Sequence, residues 1–118
     1  MPRTAPVLQP RLRFPHAGSD AFGPGKAELL RHIGATGSIR TAASELGMSY
    51  SRAWQLVNAM NSLFRSALVE VVRGGETGGG ALLTPLGEEV LARYTRMESA
   101  CRDAVRADWT ALSRLLKP

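Results

Sequence analysis

The stretch from Ser38 to Phe64 constrains the fold most, because its pattern fits two short helices joined by a tight turn. In the first helix, apolar residues recur at i, i+3, i+4 and i+7 from Ile39 to Leu46, on one face. In the second, the apolar series runs from Ala53 to Phe64 at i, i+4, i+7 and i+11. Gly47 stands between them, where a backbone with positive φ commonly ends a helix. This arrangement predicts a helix-turn-helix.

Serines stand where the N-caps of both helices are expected. Ser38 precedes the first helix and Ser49 the second, and a serine hydroxyl can accept a hydrogen bond from a backbone N–H of the first turn. Ala43 and Ala53 are small residues on the facing sides. We expect them where the two helix axes come closest, because a larger side chain there would push the helices apart.

The outward face of the second helix is polar and suits contact with DNA. Arginine pairs with guanine edges and phosphates, glutamine and asparagine with adenine edges, and serine with either. The alternative is a solvated polar face on an ordinary helical hairpin. For Arg52 we favour a base edge over a phosphate, because early positions of such a helix lie deep in the groove. The predicted DNA-facing residues of this helix are Ser49, Ser51, Arg52, Gln55 and Asn58.

Composition agrees with a polyanionic partner and sets the outer limits. The 118 residues suggest one domain, and 15 basic against 10 acidic residues give a net charge of +5. Arginine outnumbers lysine, which fits bidentate phosphate and base contacts, although GC-rich coding would give the same bias. No apolar run approaches the roughly 18 residues of a membrane span. We expect a cytoplasmic protein, because the N-terminus lacks the apolar core of a secretory signal.

Elements on both sides of the helix pair predict a winged helix. Residues 25–35 form an amphipathic helix before the pair. After it, a β-prone run at 68–73, a glycine-rich loop at 74–80 and an apolar run at 81–84 predict a hairpin. Three helices followed by this hairpin give an α+β winged helix-turn-helix. Of the preceding residues, 11–14 alternate polar and apolar, and we expect an edge strand that could join the hairpin, followed by a loop up to residue 24.

The glycine-rich loop at 74–80 could be taken for a phosphate-cradling nucleotide loop. Such a loop ends in Gly-Lys-Ser/Thr and leads into a helix, whereas this one has no lysine and leads into a strand. As a wing tip, its glycines would let backbone N–H groups approach a DNA phosphate closely. The alternative is a hairpin end that contacts nothing.

A long amphipathic helix is predicted from Pro85 to Leu116. Thr84 can cap it and proline suits its first position. Apolar residues recur at every third or fourth position, and a continuous helix would be about 48 Å long, longer than a domain of this size. A second subunit would cover the stripe, so we predict a homodimer. The alternative is a break near Asp103–Asp108 with the chain folding back. The predicted interface consists of Val90, Tyr94, Met97, Cys101, Val105, Trp109 and Leu112.

No catalytic or metal-binding constellation is evident. His16 and His32 have no second ligand at metal spacing, and Cys101, the only cysteine, excludes an intrachain disulfide or a cysteine zinc cluster. On the apolar stripe, this cysteine is expected to be a small buried hydrophobe. We therefore predict no enzyme activity, no metal and no cofactor.

Residues 26–94 resemble the N-terminal DNA-binding domain of the molybdate-dependent transcriptional regulators, the ModE family, which is itself similar to the winged helix of LysR-type regulators. The shared words are TGSIRTAASELGMSYSRAW from Thr36, NAMN from Asn58, LVEVVRGGETGGGALLT from Leu68, and Gly87. The combination of S-Y-x-x-A-W, M-N and a wing ending in G-G-G-A-x-L-T is specific.

The resemblance implies a dimeric DNA-binding regulator with a recognition helix from Ser49, a wing at 74–80 and a C-terminal dimerisation helix. Two departures matter. Glu76 and Thr77 stand where the family wing usually carries a lysine, which weakens its phosphate role. Full-length members bind molybdate in a separate C-terminal region, so we expect no molybdate sensing in these 118 residues. The complete predicted DNA-binding set is Ser38, Arg40, Ser49, Tyr50, Ser51, Arg52, Gln55, Asn58, Arg73, Gly75, Thr77 and Gly78.

Three segments are therefore expected: an N-terminal arm at 1–24, a winged helix-turn-helix at 25–84 and a dimerisation helix at 85–118. The predicted partners are a palindromic double-stranded DNA operator, a second copy of the chain and, for its signal, a separate effector protein. The alternative is a winged helix that binds proteins and has lost DNA binding. Arg40, Arg52 and Arg73 argue against that alternative, and the nearby Glu45 and Glu70 favour it.

Overall fold

The structure, a computed structural model, describes residues 7–17, 19–72 and 80–118. Its elements alternate between short antiparallel hairpins and helices, and the described residues form an α+β fold. In chain order they are β1 (Phe14–His16), β2 (Ser19–Phe22), α1 (Pro24–Thr36), α2 (Ile39–Glu45), α3 (Tyr50–Leu63), β3 (Val69–Val72), β4 (Gly80–Leu83), α4 (Pro85–Ala104) and α5 (Arg106–Ser113).

The first three helices enclose the hydrophobic core. The predicted inner face of α1 is fully buried, since Leu29, Leu30 and Ile33 expose no measurable side-chain surface. Ala43 of α2 and Ala53 of α3 are buried in the same cluster, as expected for small residues between two closely packed helices. Burying a large aliphatic side chain contributes about 1.5–3 kcal/mol, so this cluster holds the three helices in place.

The predicted helix boundaries of the helix-turn-helix are confirmed. The Ser38 hydroxyl accepts a hydrogen bond from the Thr41 N–H at 3.0 Å, and the Ser49 hydroxyl accepts one from the Arg52 N–H at 3.0 Å. Gly47 has a φ of +68°, a value that strains residues with a Cβ atom. Capping of both helices and the glycine turn therefore fix the direction in which α3 leaves α2.

The hairpin after α3 confirms the winged helix. β3 and β4 pair antiparallel, from Val69 opposite Leu83 to Val72 opposite Gly80. Its tip, residues 73–79, lies outside the described residues. The predicted DNA contacts Arg73, Gly75, Thr77 and Gly78 fall in that tip and stay predictions.

The expectations for residues 11–24 are wrong in two respects. The strand is β1, and it pairs antiparallel with β2 rather than with the wing, so the described strands form two separate two-stranded sheets. Residues 15–24, expected as a loop, contain most of this hairpin. The physical reason is aromatic packing across it: Phe14 stacks on Phe22 at 5.5 Å between ring centroids. Phe22 also packs edge-on against Phe64 at 5.8 Å and Tyr94 at 5.3 Å.

Helix α4 begins as predicted, with the Thr84 hydroxyl accepting from the Gly87 N–H at 3.0 Å and Pro85 in the first turn. Gly87 lies against the backbone of Leu68, and a Cβ at that position would stand 2.2 Å from the Leu68 carbonyl oxygen. Only glycine therefore lets α4 approach the start of the wing this closely.

The predicted continuous helix is interrupted at Val105. This residue, with φ −104° and ψ 8°, separates α4 from α5. Helical hydrogen bonds still cross the junction, from the Val105 N–H to the Cys101 carbonyl at 3.2 Å and from the Trp109 N–H to the Val105 carbonyl at 2.8 Å. The interruption is thus a one-residue irregularity in the region where the alternative interpretation placed a break.

Two residues of the predicted dimer interface belong to the core of the protomer. Tyr94 exposes 2% of its surface, and its hydroxyl donates to the Leu12 carbonyl at 2.6 Å. Val90 is half-buried and packs against the same core. Their place on the apolar stripe is as predicted, but the stripe faces the protomer up to Tyr94 because β2 and residue 12 cover it.

Candidate nucleic-acid interface

The outer face of α3 is a continuous polar surface on a rigid helix. Ser51, Arg52, Gln55 and Asn58 are all exposed, while Val57 and Met60 on the opposite face are buried. The sequence has no acidic residue from Leu46 to Val69. This face therefore offers hydrogen-bond donors and acceptors with one positive charge and no carboxylate of its own, which suits the edges and phosphates of a nucleic acid.

Arg52 and Gln55 are close neighbours on this face. The Nη1 of Arg52 donates to the Oε1 of Gln55 over 3.4 Å, a long hydrogen bond. The two side chains are one turn apart, so they reach the same region of space. A ligand could replace this weak bond without leaving a buried polar group unpaired, because both residues are exposed.

An aromatic cluster supports the start of α3. The Tyr50 ring packs edge-on against Trp54 at 6.2 Å between centroids. The Arg40 guanidinium of α2 lies 4.3 Å from the Tyr50 centroid, a cation–π distance. Trp54 is half-buried against the core, whereas Tyr50 remains 42% exposed. The cluster thus holds an exposed tyrosine and an arginine at the junction between α2 and α3.

The two serines predicted to contact DNA serve first as caps. Ser38 and Ser49 use their hydroxyl oxygens to accept backbone hydrogen bonds. A hydroxyl that accepts a hydrogen bond still has its own hydrogen to donate. Both residues stand at helix N-termini beside the polar face, so a contact with phosphate or base remains compatible with capping.

His32, for which the sequence indicated a surface or capping role, links α1 to α2 through ion pairs. Its Nδ1 lies 2.8 Å from a Glu45 carboxylate oxygen, and its Nε2 lies 3.6 Å from one of Glu28. Glu45, which favoured the protein-binding alternative, is thereby paired with an inner helix. Within the described ranges, no group of three histidine, cysteine or acidic side chains could hold a metal ion.

Two cations that the sequence analysis did not assign lie beside Arg52. Arg13, just before β1, and Lys26, in the first turn of α1, line one cavity of about 210 Å³ together with Arg52. The signal was hard to find in the sequence, because the three residues come from segments whose contacts depend on the N-terminal hairpin.

An exposed apolar stripe continues along the C-terminal helices after Tyr94. Met97 is 49% exposed, Val105 40% and Leu112 52%. Cys101 and Trp109, on the same stripe, are half-buried, which for the cysteine is less than the burial predicted. This stripe is apolar surface for which the described part of the protomer provides only partial cover. None of the helices in the described ranges has the length and hydropathy needed to cross a membrane.

Comparison with known proteins agrees with this geometry. The family model described as "Bacterial regulatory helix-turn-helix protein, lysR family" matches residues 25–88, which are α1 to the first turn of α4. The chain is also similar to the molybdenum-pterin-binding protein MopB of Rhodobacter capsulatus, with 48% identity over 78 residues, 66% of this chain and 29% of MopB.

Two further relatives extend the comparison. The chain is 44% identical over 71 residues to the DNA-binding transcriptional dual regulator ModE of Escherichia coli strain K12, covering 60% of this chain and 27% of that protein. It is 38% identical over 94 residues to the molybdenum-pterin-binding protein MopA of Rhodobacter capsulatus, covering 80% and 36%. The chain thus spans about a third of the length of these relatives. The resemblance predicted from the motifs is confirmed.

Proposed function

The chain belongs to the lysR family of bacterial regulatory helix-turn-helix proteins, and from this premise we propose that it is a sequence-specific DNA-binding transcriptional regulator. The single observation that carries the proposal is the outer face of α3, exposed, polar and free of carboxylates in its own sequence. That face stands on a helix whose start is fixed by the Ser49 cap and whose inner side is buried in the core. The name of the ModE relative supports it.

In the proposed complex, α3 lies in the major groove of DNA. Its early positions would contact base edges, as in other helix-turn-helix proteins. Ser51, Gln55 and Asn58 are the residues with base-recognition chemistry. Tyr50 and Arg40 would contact the sugar–phosphate backbone at the α2–α3 junction, where their mutual packing limits the conformations they lose on binding.

We further propose that the regulator is a homodimer joined through α4 and α5. The exposed stripe of Met97, Val105 and Leu112 supports this, because a second copy would bury it. Dimers of helix-turn-helix proteins bind half-sites about 34 Å or a multiple apart. A twofold dimer would accordingly require a palindromic operator. Segment 85–118 would then be the dimerisation segment and 25–84 the DNA-binding domain.

We leave the molybdenum ligands of the relatives with those proteins. MopA and MopB carry molybdenum-pterin binding in their names, but at most 36% of either aligns with this chain. The proposal for these 118 residues is restricted to DNA recognition and assembly, without catalysis.

Selection of duplexes from a random pool tests the proposal directly. The 118-residue chain should enrich a palindromic motif over successive rounds, and footprinting on the upstream region of its own gene should protect a matching site. A double variant, Ser51→Ala with Gln55→Ala, serves as the control and should enrich a weaker or different motif. Failure of the folded wild-type chain to enrich any sequence would contradict DNA recognition and support the protein-binding alternative.

A further inference from the structure

We infer, on the premise of the proposed function, that Arg13, Lys26 and Arg52 together form a binding site for a phosphate of the DNA backbone beside α3. The three cations come from separate parts of the sequence: the residue before β1, the first turn of α1, and α3. They line one open cavity of about 210 Å³. This site lies outside the residues that the motifs indicated, apart from Arg52.

The lining of the cavity combines cationic donors with an apolar floor. Phe22 and Leu56 provide the apolar part, and the backbone of residues 23–25 forms one wall. None of the described lining residues is acidic, and no acidic residue stands in the first turn of α1. An anion that enters the cavity would meet two guanidinium groups and an ammonium group without a competing carboxylate among them.

Contacts within the protein place two of the cations. The Nζ of Lys26 donates to the Ala21 carbonyl at 2.8 Å, which uses one of its three N–H groups and leaves two for an anion. The stem of Arg13 crosses Gly23, with its Cγ 2.9 Å from where a Cβ of residue 23 would stand. The absence of a side chain at Gly23 therefore lets Arg13 lie over the start of α1.

The chemistry fits phosphate, and the location fits the DNA backbone. Guanidinium groups bind phosphate oxygens bidentately, and an ammonium group adds a compact charge. Inorganic phosphate offers the same oxygens, but Arg52 is shared with the outer face of α3, and a backbone strand bordering the groove that holds α3 passes that edge. Arg52 is accordingly assigned to a phosphate instead of the base edge favoured from the sequence.

Two substitutions separate charge from folding. Lys26→Gln removes one cation. Gly25→Asp adds a carboxylate at the mouth of the cavity, where a Cβ would meet no atom within 4 Å. Aspartate in the first turn of a helix is favourable, so this variant should melt no lower than the wild type. Gly25→Ala is its uncharged match, and Arg96→Gln on α4 removes a cation elsewhere.

The experiment titrates each full-length variant against a selected duplex and a random-sequence duplex at several salt concentrations. Lys26→Gln should weaken binding to both duplexes about equally, roughly 3- to 10-fold, and reduce the salt slope by about 0.9. Gly25→Asp should weaken binding at least as much, while Gly25→Ala and Arg96→Gln should bind like the wild type. Circular dichroism and thermal melting should show folded protein throughout.

Distinct results overturn distinct statements. If the folded wild type binds neither duplex, the proposed function fails. If the wild type binds DNA and both charge variants match it in affinity and salt slope, the phosphate site alone is wrong. A loss confined to the selected duplex would contradict phosphate contact and indicate base recognition. Micromolar binding of inorganic phosphate at constant ionic strength, with unchanged DNA binding in Lys26→Gln, would also contradict the assignment to DNA.

Discussion

The side-chain amide of Asn61 forms a paired set of hydrogen bonds with the backbone of Val69. Its Oδ1 accepts from the Val69 N–H at 3.1 Å, and its Nδ2 donates to the Val69 carbonyl at 3.1 Å. The same oxygen accepts from the Leu68 N–H at 2.8 Å. Asn61 therefore joins the last turn of α3 to the first strand of the wing, and it couples the position of the proposed recognition helix to that of the hairpin.

Asn61→Ala should destabilise the fold by about 1–3 kcal/mol, because it leaves partly buried backbone groups at the base of the wing without their partner. Urea denaturation followed by circular dichroism measures the change. Asn58→Ala, one turn earlier and exposed, is the matched control and should change stability by less than about 0.5 kcal/mol. Equal stability of the two variants would show that Asn61 does not hold the wing.

Tyr94 gives the fold a dependence on alkaline pH. Burial, aided by the nearby Glu98, raises the pKa of the Tyr94 phenol above its ordinary value of 10. The folded state thus favours the protonated phenol, whose hydroxyl donates to Leu12. This contribution is complete below pH 10 and is lost as the pH rises through the higher pKa of the folded state.

We therefore expect wild type to exceed Tyr94→Phe in stability by about 0.5–1.5 kcal/mol at neutral pH, with the difference shrinking above pH 10. Chemical denaturation of both proteins across this range measures it, and the comparison removes titrations that they share. A difference that stays constant up to pH 11 would contradict burial of a titrating phenol at this position.

Assembly through the C-terminal helices can be tested by introducing charge into the stripe. We expect wild type to be dimeric at micromolar concentration and the double variant Met97→Glu with Val105→Glu to be monomeric, because a dimer would have to bury four carboxylates. Analytical ultracentrifugation distinguishes the two states, and operator binding should weaken in parallel.

The matched control for that experiment places the same charges on the other side of the helices. Ser99 and Ala107 are exposed and lie about 200° around the helix from Met97 and Val105, respectively. Their double glutamate variant should remain dimeric. A monomeric wild type with intact α4 and α5 would contradict the proposed dimer.

Molybdate and tungstate at micromolar concentration should leave the melting temperature and the DNA affinity of the 118-residue chain unchanged. The chain shares about a third of the length of its molybdenum-named relatives, and its matched family segment is the helix-turn-helix. Isothermal titration calorimetry checks this. Stoichiometric micromolar binding would assign an oxyanion site to this chain.

The helix-turn-helix could be predicted from sequence because its determinants are local. Apolar periodicity defines the inner faces of α2 and α3, and the caps at Ser38 and Ser49 and the turn at Gly47 define their ends. The wing was likewise indicated by two β-prone runs around a glycine loop. Each signal lies within a few residues of the structure it specifies.

The N-terminal hairpin could not be predicted in the same way, because contacts distant in sequence stabilise it. Phe22 packs against Phe64 and Tyr94, and Pro15 within β1 disguises a strand. The same omission hid the proximity of Arg13 and Lys26 to Arg52. It also left Tyr94 on an apolar stripe with no visible cover, so that a residue of the core was assigned to a dimer interface.

The central claim, that the outer face of α3 recognises DNA sequence, is tested most directly with Gln55→Ala. Fluorescence anisotropy would compare this variant with wild type on the selected duplex and on random-sequence DNA at fixed salt. We predict a loss of about 1–3 kcal/mol per half-site on the selected duplex, little change on random DNA, and relaxed preference at one base position. Unchanged affinity and preference on the selected duplex would contradict recognition by this face.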